Sequence, residues 1–276
     1  MSDFYYRANQ PLARAILETV VYFDLFSYPL TTFEIWRNLR LKQKIAYFAV
    51  LRELADNHEL ASRLDFKNGV WFLKATVENI AYERNQRYLF SKYKIDQARS
   101  FAKSIGWIPG LRAIYACNTL GFMGAKESSD IDFFIVVMRG RIWTVRFFAV
   151  LLAKLFFKRP QGKDNKDTIC LSFFATHDAR LSSVALPPED VYYEYWLRNL
   201  LPILLRLKVQ KRGKLGDLLE RILKSVQLRI LPASLKALAN QEAGVVISDE
   251  FLKFHANDRR AHFRQEFSRR FAQVAG

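Results

Sequence analysis

Two aspartates, Asp130 and Asp132, flank a single isoleucine and lead straight into the apolar run Phe133-Phe134-Ile135-Val136-Val137. An uninterrupted apolar run of this length reads as a strand buried on both faces. Burial in low dielectric penalises a charged carboxylate, so two of them at the mouth of such a strand need a reason. Residues at i and i+2 of a strand point to the same side, which puts the two carboxylates together. They either hold a cation or cap the turn that opens the strand. On both readings a sheet has to form around residues 131–138.

The elements on either side give the expected domain order. Residues 11–27 carry apolar side chains at helical spacing, and Thr31 with Glu34 three positions later forms a capping box for a second helix. Residues 42–59 read as a third helix. Residues 60–75 alternate, turn at Asn68-Gly69 and continue in Val70-Trp71-Phe72, a strong hairpin signal. Three helices followed by a hairpin is the layout of a winged helix, expected over residues 1–75. A long polar-faced helix connects it, over 76–110, to an α/β domain over 111–180. That domain comprises strand 112–117, the aspartate loop, strand 131–138, an apolar helix and strand 168–176. From about 178 the pattern reads as helical to the end, with Pro187-Pro188 opening a helix and Ser248 as an N-cap, so 181–276 is expected as a C-terminal helical region. The expected class is α+β, with a small mixed sheet at its centre.

Composition narrows the partners. The chain has 276 residues, is 50% hydrophobic and 14% aromatic, and carries a net charge of +16. That is enough apolar material for a packed core, and the charge points to an anionic partner: a nucleotide, a nucleic acid or an acidic protein. From 205 to 276 there are 15 Lys and Arg against 7 Asp and Glu, about half of the surplus. Two cysteines at wide spacing form neither a disulfide framework nor a zinc motif. The first ten residues lack the basic start and apolar core of a signal peptide, so a cytoplasmic location is expected. The most apolar helical stretch, 142–157, is interrupted by Arg146 and Lys154 and is too short to span a bilayer; no membrane insertion is expected.

The stretch Ile114-Tyr-Ala-Cys-Asn-Thr-Leu-Gly121, followed by Asp130-Ile-Asp132, resembles the active-site motif of the nucleotidyltransferase superfamily, the DNA polymerase beta-like fold. Members carry a strand, then Gly-Ser opening a helix, then Asp-x-Asp at the start of the next strand. The motif covers about 112–138, and the helix and strand after it extend the likeness to about 176. More broadly the chain is similar to a group of bacterial nucleotidyltransferase-like proteins with an N-terminal winged helix. The resemblance implies that Asp130 and Asp132 bind Mg2+, that Asn118 and Lys126 lie near the phosphates of an NTP, and that a nucleoside monophosphate is transferred to an acceptor. Hard oxygen ligands suit Mg2+, and the cation stabilises charge that develops in phosphoryl transfer.

Two departures stand out. Cys117-Asn118 occupies the place of Gly-Ser. The third carboxylate expected on the later strand is missing, with Ser172 at the matching position and Asp164 and Asp167 in the loop before it. They keep open a second reading, a nucleotidyltransferase fold that has lost catalysis and serves as a nucleic-acid- or protein-binding module, such as an antitoxin-like one. Arg139 and Arg141 are further candidates for phosphate contact or plain surface charge. The four histidines are scattered and suggest neither a zinc site nor a nucleophile–base pair, and Cys117 and Cys170 read as small buried hydrophobes. In the third helix Ile45, Phe48 and Leu51 read as core. Lys42, Lys44, Arg52, Arg63 and Lys67 remain for phosphate contact.

Overall fold

The structure, a computed structural model, describes residues 12–74, 79–157, 166–206, 213–241 and 244–275. Along the chain the helices and strands are α1 (Leu12–Asp24), α2 (Thr32–Asn38), α3 (Tyr47–Asp56), α4 (His58–Arg63), β1 (Leu64–Lys67), β2 (Val70–Leu73) and α5 (Ile80–Ile105). There follow β3 (Leu111–Ala116), α6 (Asn118–Gly121), β4 (Ile131–Val137), α7 (Ile142–Phe156), β5 (Ile169–Thr176) and α8 (Val191–Arg198). Last come β6 (Leu201–Leu205), α9 (Lys214–Ile230), α10 (Ala233–Leu238), β7 (Val245–Ile247), β8 (Phe251–Phe254) and α11 (Arg260–Ala275). The protein is mixed α+β and divides into two compact units. One comprises residues up to Tyr88 with Leu186–Arg198 and Arg259 onward; the other comprises Leu89–Ala185 and Asn199–Asp258. The long helix α5 belongs to both, passing from one to the other after Tyr88. No helix among the described residues is long and apolar enough to cross a membrane.

In the first unit local chemistry sets the element ends. The Thr31 hydroxyl accepts from the Glu34 N–H at 3.2 Å while the Glu34 carboxylate accepts from the Thr31 N–H at 2.8 Å, the reciprocal capping box that starts α2. Asn68 and Gly69 both have positive φ, and Lys67 pairs with Val70 across the turn, as an Asn-Gly hairpin requires. The expected single helix over 42–59 is instead two. Asn57 interrupts it, and its side chain accepts the Leu60 N–H at 3.0 Å to open α4. With α3 beginning at Tyr47, Val50 and Leu54 face the core, while Phe48 is 79% exposed and Leu51 is also exposed. This corrects the placement of those two side chains in the core. Arg40 is buried against Glu194 at 2.7 Å, with Glu189 and Glu18 also in reach, so its charge is offset by several carboxylates.

The second unit is built on a six-stranded mixed sheet in the order β6-β3-β4-β5-β8-β7. β3 and β4 are antiparallel, which sets the end of one beside the start of the other, with Ala116 opposite Phe133. β4 and β5 are parallel, joined by α7 as the crossover. Phe133, Phe134, Ile135 and Val137 of β4 are all buried, as an unbroken apolar strand predicts.

The expected helical region over 181–276 is corrected by β6, β7 and β8. β6 adds to the sheet edge beside β3, where Pro202 can stand because an edge strand tolerates a missing N–H. β7 and β8 form a hairpin on the β5 side, and Ser248 caps its turn rather than a helix, accepting from the Phe251 N–H at 2.9 Å. Short apolar runs such as Leu201-Pro-Ile-Leu-Leu205 have no period long enough to separate helix from strand.

Glu220 of α9 fixes the crossover helix. Its buried carboxylate accepts from the Trp143 N–H at 2.9 Å, the Thr144 N–H at 2.8 Å and the Thr144 hydroxyl at 2.6 Å. A carboxylate here meets unsatisfied donors and the positive end of the α7 dipole together. Glu220→Ala leaves those buried donors without a partner and should lower unfolding stability by about 2–3 kcal/mol in urea denaturation. Loss below about 0.5 kcal/mol would contradict the capping role.

Candidate functional site

The acidic pair lies where three chain segments end together. β3 leaves the sheet at Ala116. Cys117 follows in an extended conformation (φ −134°, ψ −169°), open to any residue, so glycine is not demanded there. Asn118 then takes a left-handed conformation (φ 55°), which asparagine tolerates better than most side chains. The short α6 turns tightly past Asn199, and at Gly121 a Cβ would lie 2.0 Å from the Asn199 carbonyl oxygen. Only glycine fits that approach.

β4 starts just after Asp130. The Asn118 amide donates to the Asp132 carboxylate at 2.6 Å, and the Cys117 N–H donates to the Asp132 carbonyl at 3.1 Å. The end of β3 therefore orients Asp132 through both backbone and side chain.

β5 supplies the third corner. Asp132 lies opposite Cys170 in the parallel register, and β5 carries one more residue than β4 before Phe134 meets Phe173. A bulge of this kind re-aims side chains. Ligand atoms of Asp130, Asp132 and Cys170 all lie within 4.8 Å of one another. The Cys170 sulfur is 3.5 Å from the Ser172 hydroxyl, and Ser172 is hydrogen-bonded to His255 Nε2 at 3.1 Å. A polar strip thus crosses β4, β5 and the residue after β8.

The loops that deliver these groups are tied by Lys94 of α5. Its side chain is 1% exposed, and its ammonium donates to the Glu127 carbonyl at 3.1 Å, the Ser129 carbonyl at 2.8 Å and the Asp167 carboxylate. Two backbone bonds join the same loops: the Asp167 N–H donates to Ser129 and the Ile131 N–H donates to Thr168.

Electrostatics in the cluster follow from crowding. Burial, then the charge of Asp132, pushes the Asp130 carboxyl up to about 7, with Lys94 opposing. Burial also pushes the Cys170 thiol well up, with Asp132 beside it adding to the effect. Two carboxylates and a thiol are held together and partly withdrawn from water, which disfavours their anionic forms, and a cation relieves that penalty. Two carboxylates match the oxygen preference of Mg2+, which is commonly held by one or two of them; the thiol does not.

Of the residues singled out by sequence, the structure brings Asn118, Asp130 and Asp132 together. Lys126 is exposed on the turn before β4, with its backbone N–H bonded to the Ser129 hydroxyl at 3.0 Å. Arg139 and Arg141 lie beyond the far end of β4, about 20 Å from the aspartates at ~3.3 Å per residue. There Arg139 pairs with Asp178 and Glu250, and Arg141 with Asp217 at 2.7 Å. Both are engaged away from the acidic pair. Asp167 is held by Lys94, and Asp164 lies outside the described residues.

Cys170, expected as a plain apolar side chain, stands beside the carboxylates instead, and His255 has a serine partner. The signal for Cys170 was its alternation with Ser172 along β5, which puts both on one side; its pairing with Asp132 is not a local property. Comparison with family models, with curated proteins and with solved structures finds no match to this chain.

Because the Asp130 carboxyl is raised, its contribution to stability is complete below the ordinary carboxylate range near 4. It is lost as pH rises through about 7. Asp130→Asn keeps the group neutral at every pH. In metal-free protein it should raise Tm at pH 8 by about 3 °C or more, taking 2–4 °C per kcal/mol, and leave Tm unchanged near pH 3, below the ordinary carboxylate range. Equal Tm values at pH 8 would contradict the crowding.

Proposed function

We propose that this chain is a nucleotidyltransferase-like protein of the DNA polymerase beta-like fold, with a winged helix at its N-terminus, that binds an NTP with a divalent cation. The observation that carries this reading is the placement of Asp130 and Asp132 at the opening of β4, beside the turn that ends β3 and next to the parallel strand β5. The order of strand, short helix, Asp-x-Asp strand, crossover helix and strand is the one the resembled family carries.

The roles follow from the contacts. Asp130 and Asp132 would hold the cation, Mg2+ by the resemblance. When bound, it supplies charge stabilisation for the α-phosphate and the leaving pyrophosphate. Asn118 orients Asp132 through its amide, and Lys94 sets the spacing of the loops. Lys126, exposed on the adjoining turn, is available to phosphate. An acceptor hydroxyl attacking the α-phosphate must lose a proton. Among the described residues no third carboxylate joins the pair to take it.

That last observation favours a second reading, in which the site binds nucleotide without turning it over and the chain acts as a binding module. The first unit fits a protein partner in this case. The outward side of α3, which would enter the major groove in a DNA-binding winged helix, presents Phe48 and Leu51, neither of which reads base edges. Arg63 in the expected wing is engaged with Glu59.

Thermal unfolding with Mg2+ and each of ATP, GTP, CTP and UTP tests the proposal. At a nucleotide concentration about 100 times Kd, binding adds about 2.7 kcal/mol, so Tm should rise by several degrees with at least one of them. Asp130→Ala/Asp132→Ala should abolish the rise. No rise with any nucleotide would remove both readings. A rise without pyrophosphate release, across a panel of hydroxyl and phosphate acceptors, would select the second.

A further inference from the structure

We infer that Cys170 is itself a metal ligand, and that Asp130, Asp132 and Cys170 together select a thiophilic divalent cation of the zinc class over Mg2+. The inference rests on the metal-binding reading above and concerns which cation that site takes. It starts from the register of the sheet. Asp132 and Cys170 are direct neighbours on parallel strands, so their side chains leave the sheet on the same side. Asp130 joins them two residues earlier along the chain, and the ligand atoms of all three lie within 4.8 Å of one another. Around a tetrahedral Zn2+ with bonds of about 2.0–2.3 Å, donor atoms stand about 3.5 Å apart. A contraction of about 1 Å, within the reach of side-chain rotation, converts the observed triangle into a ligand set.

Chemistry separates the candidate cations. Mg2+ binds oxygen in near-ideal octahedra and leaves a thiol protonated beside it. Zinc-class ions take thiolate, and the Cys170 proton then leaves to solvent as the sulfur–metal bond forms. Three protein ligands with a fourth position open is the arrangement of zinc sites that also accept substrate, unlike the closed four-ligand sets of structural zinc. The hydroxyl of Ser172, 3.5 Å from the sulfur and bonded to His255, stands where an outer partner steadies a ligating thiolate. Cys170, two residues before Ser172 on the same side of β5, therefore supplies a third ligand that is softer than the carboxylate the resemblance implies on that strand.

The test uses the full chain, stripped of metal and without nucleotide. Titration with Co2+ should produce a thiolate-to-cobalt charge-transfer absorption that saturates at one equivalent. The band should persist in Cys117→Ser, whose sulfur is outside the ligand set, and vanish in Cys170→Ser. By calorimetry Cys170→Ser should lose at least tenfold in Zn2+ affinity while Mg2+ affinity stays within about twofold. Cys170→Asp, an all-oxygen set, should bind Mg2+ at least tenfold more tightly than wild type. If either variant fails to fold, protection of Cys170 from alkylation by Zn2+ in the wild type, mapped by mass spectrometry, reads the same contact.

Absence of the band in wild type, its persistence in Cys170→Ser, or alkylation of Cys170 at an unchanged rate in Zn2+ would overturn the inference. The two readings also fail separately. A cobalt–thiolate band in a protein that no nucleotide stabilises keeps the metal site and removes the nucleotidyltransferase. Nucleotide stabilisation with Mg2+ and no band does the reverse.

Discussion

The ammonium of Lys94 is the contact on which the second unit's acidic centre depends. An ammonium has three N–H donors, and here each has an acceptor: two backbone carbonyls of the 127–129 turn and the carboxylate of Asp167. Withdrawing a charge from water costs several kcal/mol, and only full satisfaction of its donors with a counter-charge offsets that. Lys94 is therefore intolerant of a change in either loop. Because Asp130 immediately follows Ser129, and Cys170 lies three residues after Asp167, the pin on α5 sets where β4 and β5 present their side chains.

The rest of the centre follows from that constraint. With both loops tied, the parallel register places Asp132 opposite Cys170, and the alternation of β5 puts Cys170 and Ser172 on one side. Asn118 arrives from β3 and fixes Asp132 by its amide. The fold then withdraws Asp130 from water and sets it beside the charge of Asp132, which together raise its carboxyl, with the Cys170 thiol alongside. Sites that gather like charges at a cost to stability are where ligand chemistry is found more often than packing alone would produce. The stabilising contacts lie elsewhere: Glu220 at the start of α7, and in the first unit Arg40 among its carboxylates.

What could be read from the sequence was mostly local. The Thr31–Glu34 capping box, the Asn68-Gly69 hairpin and the strand after Asp132 each depend on residues within a few positions, and each formed as the pattern dictates. What could not be read was long-range or a matter of phase. Lys94 and Asp167 are 73 positions apart, and nothing in the polar face of α5 marks one lysine among several as buried. The pairing of Cys170 with Asp132 is set by the register of two strands nearly forty residues apart, which no local pattern encodes. Ile45 precedes α3, which begins at Tyr47, so it shares no helix face with Phe48 and Leu51, and Val50 and Leu54 supply the buried stripe instead. β6 and the β7–β8 hairpin escaped because three- to five-residue apolar runs carry too little period.

The central claim is that a buried cation on α5 holds the acidic centre ready for a metal ion. Calorimetric titration of nucleotide-free Lys94→Met with Mn2+, alongside wild type, tests it most directly. Methionine fills the volume but donates nothing, so the two loops should separate. The variant should retain its far-UV circular dichroism and lose at least tenfold in Mn2+ affinity, about 1.4 kcal/mol of binding free energy. Unchanged affinity in a folded Lys94→Met protein would show that the site stands without the pin, and the account would fail at its base.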